Sequence, residues 1–543
     1  MNKQAEVVAV SLILVVSLLL TGCTKVSVSQ RAASGNAAPG ILRVSTGRID
    51  NLNTVLSGGG SSTYLSYLWG AYLFLADDRN QLIPELATET PTLSNGGISA
   101  DGLTLTYHLR HGVRWHDGAP FDARDVIFTW HAIMNPKNIV VTRLGYEKVA
   151  AMTEVDAYTV RVRLKERYVP AVSSLFGPGE VPMPILPQHL LGALPDLNHA
   201  AYNNKPVGTG PFIVDRYDPS IGVYLSANSQ YWRGRPKLRG IDYRIVPDPN
   251  TVSVMVKTNE LDVAHVYAIH AAELASYPGV KIVKEPAPEI IYLAFNVTHP
   301  PFNDAGLRRA ISMGVDRNFF VRVFQNGSGH VAETDQPPFG WAFNPNAHEP
   351  RYDPRLAEQS LDALGWRKDS SGYRSKNGRQ LSLTFAYITA RDPDTRFAPF
   401  FQSAMKQIGV AVTLKSYEYA LFYAQKEQGG ILNTGNYDIA IAGWVWGVDP
   451  DDATLWMCDQ IPPQGYNVSR FCDPRVDAQE RVALTSYDEK TRRQAYWNIQ
   501  ALLDEEMPAI PLSWVDVLYA TRDNVKDFAP GETFYGSWNW RKE

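Results

Sequence analysis

The sequence predicts a mixed α/β chain of more than one domain, and three observations predict it. Leu103 to Arg110 alternates apolar and polar residues strictly, which is the period of a half-buried strand. Capped helix signals recur between such runs, at Asp122, at Asp353-Pro354 and at Ser486 to Glu489. A length of 543 residues exceeds what one hydrophobic core organises, so two or three domains are expected. An apolar fraction of 45% with 20% charged residues is that of an ordinary globular protein.

Taken in order, the chain opens with Lys3, an apolar run of 14 residues from Val7 to Leu20, and then Leu20-Thr21-Gly22-Cys23. Such a run falls short of the roughly 20 residues that span a bilayer, so residues 1–22 read as a signal peptide. The segment is similar to a bacterial lipoprotein signal with its Leu-x-Gly-Cys lipobox. That similarity implies cleavage before Cys23, lipid attachment to Cys23, and export. The protein would sit at the cell envelope, in the periplasm or on the outer face of the cytoplasmic membrane. The lipid anchor would be its one membrane contact. Residues 23–40 are small and polar and read as a flexible tether.

The alternating strand places Leu103, Leu105, Tyr107 and Leu109 on one face. A second short strand, Val113 to Trp115, is expected before the turn Asp117-Gly118. Asp122 then caps a helix with Asp125 three residues on, buries Val126, Trp130 and Ile133, and the helix ends at Asn135-Pro136. Asp353-Pro354 starts a helix that Gly365 closes. Ser486 and Glu489 have capping-box spacing ahead of a long helix with Tyr496, Ile499, Leu502 and Leu503 inward, and Met507-Pro508 stops it. Ile290 to Asn296 and Tyr437 to Ala442 are strand-like, so strands and helices alternate in the second half.

Net charge is −4, with no basic run, which argues against a nucleic-acid partner. Of three cysteines, Cys23 belongs to the lipobox, leaving Cys458 and Cys472 as an even pair in an oxidising compartment. A disulfide is the expectation. Metal binding is the competitor, and neither cysteine has a CxxC partner or a neighbouring histidine to favour it. GxSxG, HExxH, GxxxxGK[ST] and a complete SxxK set are all absent, so no enzyme class is signalled.

From Tyr107-His108-Leu109-Arg110 through Gly112 to Gly118 and on to Asp125-Val126, the chain resembles the large extracytoplasmic solute-binding proteins of ABC importers. These are the dipeptide, oligopeptide and nickel-binding family. Further stretches follow in the family's order. They are Val207 to Phe212, Asn228 to Gly234, Glu260-Leu261-Asp262, Pro301 to Asp304, Arg308-Arg309-Ala310, Val315-Asp316-Arg317, Tyr352-Asp353-Pro354, Gly443-Trp444 and Pro508 to Leu512. Taken physically, most of these are structural: Tyr107 and Trp115 as core, Gly208 and Gly210 as backbone punctuation, Arg308 and Arg309 as solvated or ion-paired. The resemblance implies a three-lobed α/β fold whose ligand cleft lies between two α/β lobes that close by a hinge. Lobe I would comprise residues 41–84, 204–289 and 510–543. Lobe II would be an insertion, 85–203, and lobe III would run over 290–509.

The resemblance also implies a monomeric capture subunit that passes peptides to ABC permease subunits, without catalysis and without a cofactor. Another solute, an oligosaccharide or a metal chelate, is the alternative cargo. A binding protein that serves a receptor or chaperones secreted proteins is a further reading, and a lipid-anchored hydrolase is the rival from another class. In peptide-binding members an aspartate shortly after Gly-Trp pairs with the peptide's α-amine. Here Gly443-Trp444 is followed by Val445-Trp446-Gly447-Val448-Asp449-Pro450-Asp451-Asp452, and the expected position falls on Trp446 or Gly447. Asp449 and Asp451 are the nearby substitutes. Trp444 and Trp446 would share a strand face and stack on a flat or apolar ligand, or else both fill the core. Asp449, Asp451 and Asp452 lack the DxDxDG order and distal Glu of a calcium loop, so no metal is expected. The crevice beyond a strand's carboxyl end collects ligands, which puts Trp444, Trp446, Asp449 and Asp451 at the cleft. Asn467 joins them if the Cys458–Cys472 loop folds over the same opening.

Overall fold

A computed structural model describes residues 39–543 apart from 78, 180, 390 and 532. The signal peptide, Cys23 and the tether as far as residue 38 lie outside the described residues.

β1 (Ile41–Thr46) and α1 (Gly60–Trp69) come first. The alternating run then forms β2 (Thr104–His108), which joins β3 (Val149–Asp156) and β4 (Thr159–Leu164) in an antiparallel sheet with β4 in the middle. Leu105, Tyr107 and Leu109 are buried, as a period of two requires. α2 (Ala123–Met134) carries the expected capping box: Asp122 accepts from the Arg124 N–H at 2.9 Å, and Asp125 accepts from the Asp122 N–H at 3.1 Å. The expected strand Val113 to Trp115 shrinks to one bridge between Arg114 and Pro120. The Asp117-Gly118 turn reverses the chain at once, and Trp115 turns inward to donate its indole N–H to Asp125 at 3.1 Å.

A large mixed sheet organises the rest. β5 (Phe212–Asp218), β6 (Gly222–Ala227), β7 (Gly240–Ile245), β8 (Val263–His265), β9 (Val280–Phe295), β10 (Gly329–Val331), β11 (Ser382–Ile388), β12 (Ala411–Tyr417), β13 (Ile439–Val445) and β14 (Ala509–Arg522) join β1 in it. Their order is β12-β11-β13-β9-β14-β8-β1-β7-β6-β5, with β10 beside β14. β9 and β14 are the long members, antiparallel, with a register shift between Pro286 and Ile290. Past that shift β9 alternates cleanly. Ile291, Leu293 and Phe295 enter one core, and Ile290, Tyr292 and Ala294 enter another on the opposite face. Before it, Val280 packs with Leu518 and Ala520 in a separate cluster. A fourth and larger core gathers residues 42 to 245 with Val263, Tyr519, Phe534 and Trp540. One pair of strands thus carries the sheet from the first core into the later ones.

Gly208 meets α1 closely, since a Cβ there would sit 1.7 Å from the Trp69 carbonyl oxygen. No other residue fits. In the second half α3 (Ala305–Ser312), α4 (Pro354–Ala363), α5 (Asp394–Gln407), α6 (Pro474–Thr485) and α7 (Glu489–Glu506) cover the sheet. Asp353 caps α4 as expected. The α7 cap is a correction: Asp488, not Ser486, accepts from the Thr491 N–H, at 2.9 Å, while Ser486 ends α6 and donates to Val482. Arg308 is a second correction. It is 3% exposed and spends its guanidinium on the carbonyls of Met507, Phe302 and Glu506, satisfying the C-terminal end of α7. Arg309 does pair with Asp504, at 3.3 Å.

Candidate functional site

Two adjoining cavities of about 510 and 680 Å³ open beside the carboxyl end of β13. They share Val141, Thr142, Leu144, Tyr423, Gly443, Trp444 and Tyr466. A third, of about 270 Å³, shares Glu289, Arg391 and Gly443 with the first. One wall of the 510 Å³ cavity comes from residues 58 to 181 and the other from residues 289 to 466. The walls meet beside Asp451. The Tyr168 hydroxyl donates to Asp451 Oδ2 at 3.2 Å, and the Val448 N–H reaches the Pro178 carbonyl at 3.4 Å. Gly447 permits this approach, because a Cβ there would come within 3.2 Å of Gly179 Cα and the Pro178 oxygen.

Charge in the cleft is distributed unevenly. Arg391 lies on the turn between β11 and α5, and Asp394 clamps it through Nε at 2.9 Å and Nη2 at 3.0 Å. Burial works against the guanidinium's charge, but Asp394, Tyr423 and Glu289 together outweigh it and the Arg391 pKa rises. Glu289, half-buried on β9 opposite Val445, is pushed upward by burial, with Arg391 opposing. Burial and the neighbouring Asp449 push Asp451 up to about 6. Tyrosines at 146, 168, 419, 423 and 466 supply most of the aromatic surface.

The residues singled out from the sequence fall into three situations. Trp444 is half-buried and lines both large cavities, with Tyr466 5.1 Å from it between ring centroids. Trp446 touches it edge to face at 6.4 Å, but is 2% exposed and packs into the core beside Leu455 and Trp456. Asp449 and Asp451 both line the 510 Å³ cavity. Asp449 is gripped by Arg492 through two bonds of 2.6 and 2.9 Å, and Arg492 in turn stacks over Trp341. Asn467 is fully buried: its amide donates to the Met457 and Phe471 carbonyls at 3.0 and 2.7 Å and accepts from the Phe471 N–H at 3.1 Å. It holds the loop together from inside rather than facing the cavity. That loop is closed by a Cys458–Cys472 disulfide, and its Pro462 to Tyr466 stretch forms part of the 680 Å³ cavity wall.

The comparisons with known proteins agree with this architecture. The model of the bacterial extracellular solute-binding proteins, family 5, matches residues 81–463. The chain belongs to that family. It is therefore a binding protein of a transport system and not an enzyme. It is 25% identical over 558 residues to the oligopeptide-binding protein AppA of Bacillus subtilis, covering 99% of each chain. It is 28% identical over 471 residues to di/tripeptide-binding protein 2 of Pseudomonas aeruginosa, covering 82% of this chain and 85% of that one. Among solved structures, NikZ of Campylobacter jejuni in complex with Ni(L-His) superposes with a TM-score of 0.80 at 24% identity, over 93% of this chain and 100% of that one.

In this solute-binding protein Gly443-Trp444 lines the cleft, whereas other ordered motifs hold the fold. Trp115, Tyr107, Gly208 and Arg308 are all spent on packing, close approach or capping. Glu289, Arg391, Tyr168 and Tyr423, which do line the cleft, belong to none of the sequence signals. Only Arg391-Asp392-Pro393-Asp394, a dense charge cluster at a strand-to-helix turn, offered a local hint. Among the described residues there is no group of three or more His, Cys, Asp or Glu placed to hold a metal ion. No described helix is long and apolar enough to cross a membrane.

Proposed function

We propose that this solute-binding protein captures peptides outside the cytoplasmic membrane and delivers them to the permease subunits of an ABC importer. The observation that carries the peptide reading is Arg391. A guanidinium braced from behind by a fully buried aspartate faces a cleft walled by tyrosines and Trp444. A fixed guanidinium suits a carboxylate, and flat aromatic walls accept varied side chains without selecting among them. Relatives named for oligopeptides and for di- and tripeptides support the same cargo. The protein acts as a monomer, and two lobes close over the ligand. We retain the division into lobe I (41–84, 204–289, 510–543), lobe II (85–203) and lobe III (290–509); the separation of the first core from those built on residues 290 to 514 supports a boundary near residue 290, while lobes I and II share one core.

Native mass spectrometry of the freshly purified chain tests the cargo. A copurified peptide, or uptake of peptides from a synthetic pool, is expected. Retention of an oligosaccharide or a metal chelate instead would replace the peptide reading. Anchoring rests on the lipobox: the Cys23→Ala precursor should lose detergent-phase partitioning, and unchanged partitioning would remove the lipid from this account.

A further inference from the structure

We propose that Glu289 receives the positive charge of the ligand. The inference rests on the peptide reading above and deepens it by assigning the cation-binding side chain. Three carboxylates line the 510 Å³ cavity, and two of them are already engaged. Asp449 is neutralised by the two-point contact from Arg492. Asp451 takes the Tyr168 hydroxyl on one oxygen and the Ala453 N–H, at 3.1 Å, on the other. Glu289 alone of the three has no hydrogen bond or ion pair among the described residues.

Its position suits the role. Glu289 sits where β9 begins its pairing with β13, directly opposite Val445, and lines both the 510 Å³ and the 270 Å³ cavity. Gly443 lies beneath it: a Cβ there would stand 3.8 Å from Glu289 Oε1. The carboxylate therefore lies over a glycine on the cleft floor, next to Trp444. Arg391 offsets the burial of Glu289 only in part and makes no hydrogen bond or ion pair to it, its Nε and Nη2 being bonded to Asp394. A half-buried carboxylate without a partner is costly, and burial does raise the Glu289 pKa. A ligand ammonium placed there gives Glu289 a direct ion-pair partner, and Arg391, which lines the same cavity, is placed for a ligand carboxylate. The ammonium has two sources in a peptide, the α-amine and a lysine side chain, and the chemistry at Glu289 is common to both.

The test uses a defined pool of synthetic di-, tri- and tetrapeptides. Each is present with a free amine, as its neutral N-acetyl form, and as an N-acetyl form carrying one lysine. Competition for the full-length protein is read by native mass spectrometry for the wild type, Glu289→Gln and Glu289→Met. The wild type should enrich cationic members at least tenfold over neutral N-acetyl forms, and both variants should lose that enrichment while holding the wild-type melting temperature. Enrichment of free-amine forms identifies the α-amine as the source, and enrichment of lysine forms identifies the side chain. If the folded variants keep the wild-type enrichment within twofold, or if the wild type prefers the neutral forms, the role of Glu289 is overturned and peptide binding stands. If the wild type retains nothing from the pool, the peptide reading falls and this assignment with it.

Discussion

Two tryptophans separated by one residue play different parts at this site. Trp444 presents a face to both large cavities, whereas Trp446 has turned behind it into the core. The difference is one of chain direction: β13 ends at Val445, so strict alternation no longer governs Trp446. Their substitutions should separate accordingly. Trp444→Ala removes a stacking surface, and aromatic stacking of about 1–3 kcal/mol where it has been measured with nucleic acids predicts roughly tenfold weaker peptide binding with little change in melting temperature. Trp446→Ala deletes a core side chain and should cost about 3–5 kcal/mol of stability. Calorimetry and thermal melts on both variants check this. If Trp446→Ala melts like the wild type and binds poorly, Trp446 belongs to the ligand surface after all.

At the scale of elements, local signals were readable and contacts distant in sequence were not. The period-two run at 103–110 became a strand with its expected inward face, because side-chain alternation is a property of the strand itself, and the strand-like apolar run 290–296 became a strand buried on both faces. Asp122 and Asp353 were legible caps for the same reason. Ser486 was not, since Ser486 and Asp488 both have acceptors near the start of α7. The end of α6 at Thr485 decided between them by claiming Ser486. Arg308 was misjudged because two of its three partners lie almost 200 residues away, at the far end of α7. The disulfide was legible from compartment and pairing, and a loop of this size contributes about 3 kcal/mol in the chain-entropy model. The cleft was half legible. The segment after Gly443-Trp444 does reach it, but the opposite wall, Val141 to Val181, carries no motif. Glu289 and Arg391 become neighbours only when β9 and β11 flank β13 in the sheet.

For the molecule as a whole, one point of contact between the two walls is also a titrating point. Asp451 lies there under the Tyr168 hydroxyl, with Asp449 and its partner Arg492 beside it and Glu480 and Tyr496 behind. Burial first, and Asp449 second, push its pKa from an ordinary 3.8 up to about 6. An acid whose folded pKa is raised supplies its full contribution to stability below the unfolded value. That contribution is lost as pH rises through the folded value. Between 3.8 and 6 the folded chain holds a proton that the unfolded chain has released; above 6 it must keep a poorly solvated charge at the seam. Asp451→Asn leaves a neutral group that still accepts from Tyr168. Its melting temperature should therefore exceed the wild type's above pH 6, and the gap should close as the pH falls towards 4. Thermal melts across that range decide the matter, and a gap that is constant with pH would place Asp451 outside the wall contact. In the lobe closure proposed above, the same carboxyl would regain water when the walls part, so bringing them together would take up a proton. Peptide retention should then weaken from pH 5 to pH 7.5 in the wild type by more than it does in Asp451→Asn.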